Sequence, residues 1–115
     1  MLDGVLRRLP LARLEELNLY NCMLTGPILE ELAECKALKV LQLGANQLTG
    51  PIPEWLGKCE ALKKLDLSRN RLTGPIPEAL GECEALEVLW LDNVQKEGIP
   101  EALRQRQQAG RLEIY

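Results

Sequence analysis

The sequence predicts an α/β solenoid, with a short parallel sheet along a concave face and short helices or turns along a convex one. Three observations carry this. A 24-residue phrase, LxxLxLxx[N/C]xLTGPI[P/L]ExLxxCxA, is written three times, starting at Leu14, Leu38 and Leu62. Inside each copy, leucines alternate with other residues over one short stretch, which is the period of a strand. A Gly-Pro punctuation then falls at the same place each time. A coil of this length cannot bury its apolar face alone, so the copies must stack on one another.

The elements follow in order. In residues 1–13, Leu2, Val5, Leu6 and Leu9 fall at i, i+3, i+4 and i+7, one face of a short helix. Asp3 would cap that helix and Pro10 would end it. The segment is expected to act as a lid, because an end coil otherwise exposes its leucines. Repeats are expected at 14–37, 38–61, 62–85 and 86–108, with a closing fifth strand at 109–115. The strand cores are Leu17-Asn18-Leu19, Leu41-Gln42-Leu43, Leu65-Asp66-Leu67 and Leu89-Trp90-Leu91, leucines inward, stacked about 4.8 Å apart.

Asn46 and Asn70 stand where the chain leaves the strand. A buried amide there can bond the backbone of its own coil and of the adjacent one. Cys22 is a weak substitute in that slot and Val94 is none. Gly50 and Gly74 permit unusual backbone angles, and the prolines stop the strand. Pro53 and Pro77 are placed to open a convex-side helix, with Glu54 and Glu78 at its positive end. Leu32, Leu56 and Leu80 would anchor it inward.

The fourth copy departs from the rule, with Glu97-Gly98-Ile99-Pro100 in place of Thr-Gly-Pro-Ile-Pro. Pro100 reaches Ala109 over the same nine positions that take Pro77 to Leu86. On that register Leu112 and Ile114 form the inward pair of the last strand. The intervening ALRQRQQAG is polar and carries Arg106 in the slot of the repeat's cysteine, as suits a terminal cap.

LTGPIP after LxLxxN, with LGKC at 56–59 and LGEC at 80–83, resembles the plant-specific class of leucine-rich repeats. That class is found in the ectodomains of plant receptor kinases and in plant inhibitors of cell-wall-degrading enzymes. The resemblance covers about residues 14–115. It implies a curved or twisted leucine-rich-repeat solenoid whose concave strand face binds proteins, peptides or small hormones. Secretion, disulfide caps and glycosylation are usual in that class, yet no Asn-x-Ser/Thr acceptor and no flanking cysteine pair occurs here. These absences point to a reducing, intracellular setting, with secretion the alternative for a trimmed receptor fragment. Copies two and three are nearly identical, which fits recent duplication or an engineered array.

Composition narrows the function. Fourteen basic and seventeen acidic residues are interspersed, for a net charge of -3. No Lys/Arg cluster marks a phosphate-binding surface, so nucleic acid is excluded as the expected partner. No apolar run is long enough for a membrane span. There is no histidine, so general acid–base chemistry would fall to carboxylates or an activated lysine. No phosphate-binding glycine loop or nucleophile signature appears. The expectation is therefore a non-catalytic protein with no cofactor and no metal. Cys35, Cys59 and Cys83, 24 apart, form a column. Parallel side chains about 4.8 Å apart suit the ~3.5–4.5 Å Cβ spacing of a disulfide poorly, so these thiols are expected as buried filler.

The outward strand positions are the candidate binding residues. One row reads Asn18, Gln42, Asp66, Trp90 and Glu113, and the next Tyr20, Gly44, Ser68, Asp92 and Tyr115. A flanking row holds Glu16, Val40, Lys64, Val88 and Arg111, and beyond lie Asn21, Ala45, Arg69 and Asn93. From these, Asn18, Tyr20, Gln42, Lys64, Asp66, Ser68, Arg69, Trp90 and Asp92 form the expected partner-binding set. Trp90 is the sharpest, since outward tryptophans are enriched at interface hot spots, although packing on Val88 or Tyr115 would also account for it. Trp55 reads as a convex-surface residue without a task.

Two functions compete. One is a protein- or peptide-binding module using the concave face. The other is a structural or engineered repeat scaffold with no evolved ligand, self-associating as a homo-oligomer through the open edges of its end coils. For the fold itself, Asn70→Ala is expected to cost on the order of 1–3 kcal/mol, read as a lowered urea midpoint.

Overall fold

The computed structural model describes residue 4 and residues 6–115. Among these residues eight strands occur: β1 Glu16–Asn18, β2 Thr25–Gly26, β3 Val40–Gln42, β4 Gln47–Pro51, β5 Lys64–Asp66, β6 Arg71–Thr73, β7 Val88–Trp90 and β8 Glu113–Ile114. They form two parallel sheets, one ordered β1-β3-β5-β7-β8 and one ordered β2-β4-β6. In the larger sheet Leu17, Leu41, Leu65 and Leu89 are register partners, so the sequence period is also the structural period. Leu41, Leu65 and Leu89 are fully buried, whereas Leu17 at the end coil is only half-buried.

The convex side differs from the expected helix. Pro53 and Pro77 do precede helical turns, but these are five-residue 3-10 segments, Glu54–Lys58 and Glu78–Glu82, matched by Glu30–Glu34 in the first coil. A 3-10 turn rises more per residue and closes i→i+3 bonds, which suits a short span between tight corners. Leu32, Leu56 and Leu80 are buried beneath them, as the pattern required. The coils approach closely here. A Cβ built on Gly57 would clash with the backbone carbonyl oxygen of Ala79.

The smaller sheet was not foreseen. Its strands are the Leu-Thr-Gly-Pro stretches, where glycine and proline read as breakers. Gly26, Gly50 and Gly74 hold φ of +79°, +79° and +75°, so only glycine sits there without strain. Pairing is offset, with Thr25 opposite Gln47 and Thr49 opposite Arg71. The pairs are therefore 22 residues apart rather than the 24 of the main sheet.

Asn46 carries the junction between the first two coils. Its Oδ1 accepts the amides of Cys22 and Leu24, both at 2.9 Å, and its Nδ2 donates to the carbonyls of Leu19, Leu43 and Gly44. Asn70 repeats this one coil later, accepting from Leu48 and donating to Leu43, Leu67 and Ser68. In the fourth coil Val94 is exposed, and two other residues divide the task. Asp92 accepts the amides of Arg69 and Asn70 at 2.7 and 3.1 Å, while buried Gln95 donates to the carbonyls of Leu72 and Gly74. Among the described residues no buried side-chain nitrogen or oxygen lacks a partner.

The C-terminal coil contains two α-helices, α1 Asn93–Lys96 and α2 Glu101–Gln108. Leu103 of α2 is fully buried in place of the 3-10 leucines. Arg106 reaches back to the carbonyls of Cys83 and Gly81 at 2.7 and 2.9 Å. The register of β8 corrects the expected rows. Val88 pairs with Glu113 and Leu89 with Ile114, a slip of two residues. An eight-residue α-helix compresses more chain into the crossing than a 3-10 turn does. Ile114 thus lies fourteen residues after Pro100, where Leu89 lies twelve after Pro77. A two-residue slip keeps every side chain on its face.

At the other end, Leu2, Asp3 and Val5 of the expected capping helix lie outside the described residues. Leu6 and Leu11 are buried, but Leu9 is 40% exposed. The chain turns at Leu9, whose amide donates to Leu6 and whose carbonyl accepts from Leu11, so Leu9 swings outward. Leu14, Leu19 and Leu24 of the first coil remain half-buried, as their exposed edge requires.

Two substitutions test this account. Asn46→Ala should cost about 2–3 kcal/mol, since it strands amides and carbonyls in two coils. Gly57→Ala should cost about 1–3 kcal/mol by forcing the coils apart. Urea midpoints unchanged from the parent would contradict the respective junction.

Candidate functional site

The outward residues of the main sheet sort into those that complete the fold and those left open. Asn18 Oδ1 accepts the amide of Tyr20 at 3.0 Å, closing a local turn at the first strand. Asp66 Oδ1 accepts both the amide and the hydroxyl of Ser68, at 2.9 and 2.6 Å. Its carboxylate fills the space over Gly44, where a Cβ would meet Asp66 Oδ2 at 2.6 Å. Gly44 is buried for that reason. Asp92, expected as a ligand contact, has both oxygens occupied by backbone amides of the preceding turn. It is first a replacement for the missing asparagine.

Gln42 lies between Asn18 and Asp66 in register, and Lys64 lies between Val40 and Val88. Lys64 and Arg69 are exposed, and Arg69 holds the left-handed backbone with φ of 56°. Arg69 shares that backbone with Asn21 and Ala45 in the same turn position of the other coils. Tyr20 is 42% exposed on the first coil. It lies three strands from Trp90, about 14 Å at parallel-sheet spacing. The expected set therefore spreads over the whole face, with Asp66, Ser68, Arg69, Trp90 and Asp92 gathered on two neighbouring strands.

Trp90 sits opposite Asp66 and, by continuation of the β8 register, opposite Tyr115. The two aromatic rings stack, with centroids 6.0 Å apart and planes 23° from parallel. Packing of Trp90 on Tyr115, one of the two expectations for that residue, is thus what the structure shows, although Tyr115 lay outside the expected partner-binding set. Its hydroxyl donates to Glu113, and this bond to the carboxylate, with its charge, raises the phenol pKa. Trp90 is half-buried and Tyr115 is exposed, so the pair forms a platform on the concave face.

The cysteine column is inert packing. Cys35, Cys59 and Cys83 are fully buried. The thiol of Cys83 donates to the carbonyl of Leu56 at 2.9 Å. Burial above all pushes the Cys83 pKa up to about 11, with the neighbouring Cys59 adding and Arg106 opposing. Cys35 and Cys59 are raised chiefly by burial too. Cys22, in the asparagine slot, is instead exposed. Among the described residues no group of His, Cys, Asp or Glu is placed to hold a metal ion. No helix there is long and apolar enough to cross a membrane.

A family profile described as leucine rich repeat matches residues 36–93, and a second with the same description matches residues 13–35. Among curated proteins none matches. Solved structures do. The ectodomain of the receptor kinase SOBIR1 from Arabidopsis thaliana is 29% identical with a TM-score of 0.74, over 90% of this chain and 56% of its own. The plant peptide hormone receptor RGFR1 in complex with RGF2 is 36% identical with a TM-score of 0.66, over 69% of this chain and 13% of its own. The ectodomain of the membrane receptor kinase GASSHO1/SCHENGEN3 from Arabidopsis thaliana, in complex with CASPARIAN STRIP INTEGRITY FACTOR 2, is 32% identical with a TM-score of 0.64, over 69% and 10%. The chain thus spans from a tenth to just over half the length of these structures.

The buried thiols give a signed pH dependence. Unfolding returns them to an ordinary thiol pKa, so between pH 9 and about 11 the unfolded chain releases protons that the folded chain retains. Stability should be level below pH 9 and fall as pH rises toward 11. Urea midpoints across that window check it, and a Cys83→Ala chain should show a shallower fall. At pH 8, a thiol reagent should modify Cys22 alone until urea unfolds the chain.

Proposed function

Since the chain belongs to the leucine-rich-repeat family, we propose that it is a non-catalytic binding module whose concave sheet takes a peptide or a segment of a protein. The observation that carries this is the Trp90–Tyr115 platform, a half-buried indole stacked on an exposed phenol on an outward sheet face. Exposing that much aromatic surface is unfavourable unless a partner covers it. Gln42, Lys64, Asp66 and Trp90, joined by Tyr115, are the central contacts of this reading. Asn18, Tyr20, Ser68, Arg69 and Asp92 lie around them, and several of these also hold their own turns.

The neighbours support the reading, since RGFR1 and GASSHO1/SCHENGEN3 were each solved with a ligand bound. That several are ectodomains also favours a secreted setting over the intracellular one expected from the missing glycosylation acceptors. The scaffold reading keeps one supporting observation, the near-identity of copies two and three.

Affinity capture from a source-cell extract separates the two. The parent chain is expected to retain a partner that a Trp90→Ala chain of unchanged circular dichroism loses at least about tenfold. Equal capture by both chains would sink the platform as a binding site. A parent that captures nothing and forms concentration-dependent oligomers would favour the scaffold.

A further inference from the structure

The indole of Trp90 stands between two strands whose side chains differ in height. On the β8 side Tyr115 covers one ring face at 6.0 Å. On the β5 side the register partner is Asp66, and its carboxylate leans away over Gly44. Ser68 holds it there through its amide and hydroxyl. On this side the indole has Asp66 as its register neighbour, and among the described residues Tyr115 is the aromatic ring stacked on it. Asp92 lies two residues beyond Trp90 on the same chain segment, and Glu113 lies opposite Val88, diagonal to Trp90. The cations Lys64, Arg69 and Arg111 share the surface. Lys64 precedes Asp66 by two residues and Arg69 follows Ser68, so neither stands in register between Asp66 and Trp90.

We propose that this site takes an arginine or lysine side chain of the partner, its cation over the indole face turned toward β5 and beside the Asp66 carboxylate. The ligand of the concave face is then a basic peptide segment. This rests on the reading of that face as the binding surface. Tryptophan is the strongest of the aromatic rings in attracting a cation, and a guanidinium stacks flat on it while its fork reaches a carboxylate. Asp66 is already oriented by Ser68, so little ordering is lost on binding. The nearest charge agrees, since Asp66 stands opposite Trp90 and Asp92 follows it by two residues.

The test is a random-peptide display library panned against the folded chain and against a Trp90→Leu chain in parallel. Peptides enriched by the parent alone should carry net positive charge. An enriched peptide, made synthetically with a dye, should then bind about tenfold more weakly to Trp90→Leu. It should bind about threefold more weakly to Asp66→Asn, which keeps an acceptor for Ser68 and removes the charge. Trp90→Phe should restore part of the Trp90→Leu loss, and added salt should weaken binding to the parent. Trp90-dependent peptides that are neutral or acidic, or that bind Asp66→Asn as well as the parent, would overturn the basic-ligand proposal and leave the binding face standing. Enrichment that is equal on both chains, or absent, would overturn both.

Discussion

Each coil of this protein depends on its neighbour for the hydrogen bonds of its own turn. The chain leaves every strand through a tight corner whose amides and carbonyls face away from water. One planar amide, with two donors and an acceptor, can serve two corners at once, as Asn46 does for its own coil and the one before it. A buried corner without that service would carry a penalty of roughly 1–3 kcal/mol per stranded group. The leucine rows supply apolar burial, but burial is non-directional. The asparagine rungs set how far one coil turns against the next, and so where the outward side chains stand.

That constraint also explains which polar residues of the concave face are free. Asn18, Asp66 and Asp92 occupy outward strand or turn positions, yet each is bonded to backbone, and Asp66 to Ser68 as well. Outwardness alone does not make a residue available to a ligand. Trp90, Tyr115, Lys64 and Gln42 carry no comparable duty to the backbone of the turns. The aromatic pair exists only because the final helix is long enough to shift β8 by two residues.

The fold was largely legible in the sequence because its determinants repeat. Leu41, Leu65 and Leu89, the rungs Asn46 and Asn70, and the anchors Leu56 and Leu80 stand where their spacing required. What escaped was whatever depends on a neighbouring coil or breaks the repeat. The second sheet is invisible to local propensity, since its Thr-Gly-Pro strands pair only because stacking brings them together. Leu9 satisfied a helical period but lies past the turn that ends it. Gln95 is buried in a polar stretch with no periodic signal, and its partner Asp92 looked like a surface acid. The contact of Trp90 with Tyr115 was legible as one alternative, while the register that sets the two opposite each other was not.

The divided rung of the fourth coil bears on how such an array lengthens. The second coil carries both halves of the rung: Asn46 reaches back to the first, and its own turn accepts the reach of Asn70 from the third. A duplicated unit inserted there would find ready partners above and below. The junction of the third and fourth coils uses Asp92 and Gln95 with a helix between corner and crossing, and a unit placed after it meets no such socket. Growth by duplication is thus confined to the middle of the chain. Every added unit would carry the aromatic pair intact, about 4.8 Å further from the first strand, lengthening the surface before it without altering the anchor at its end.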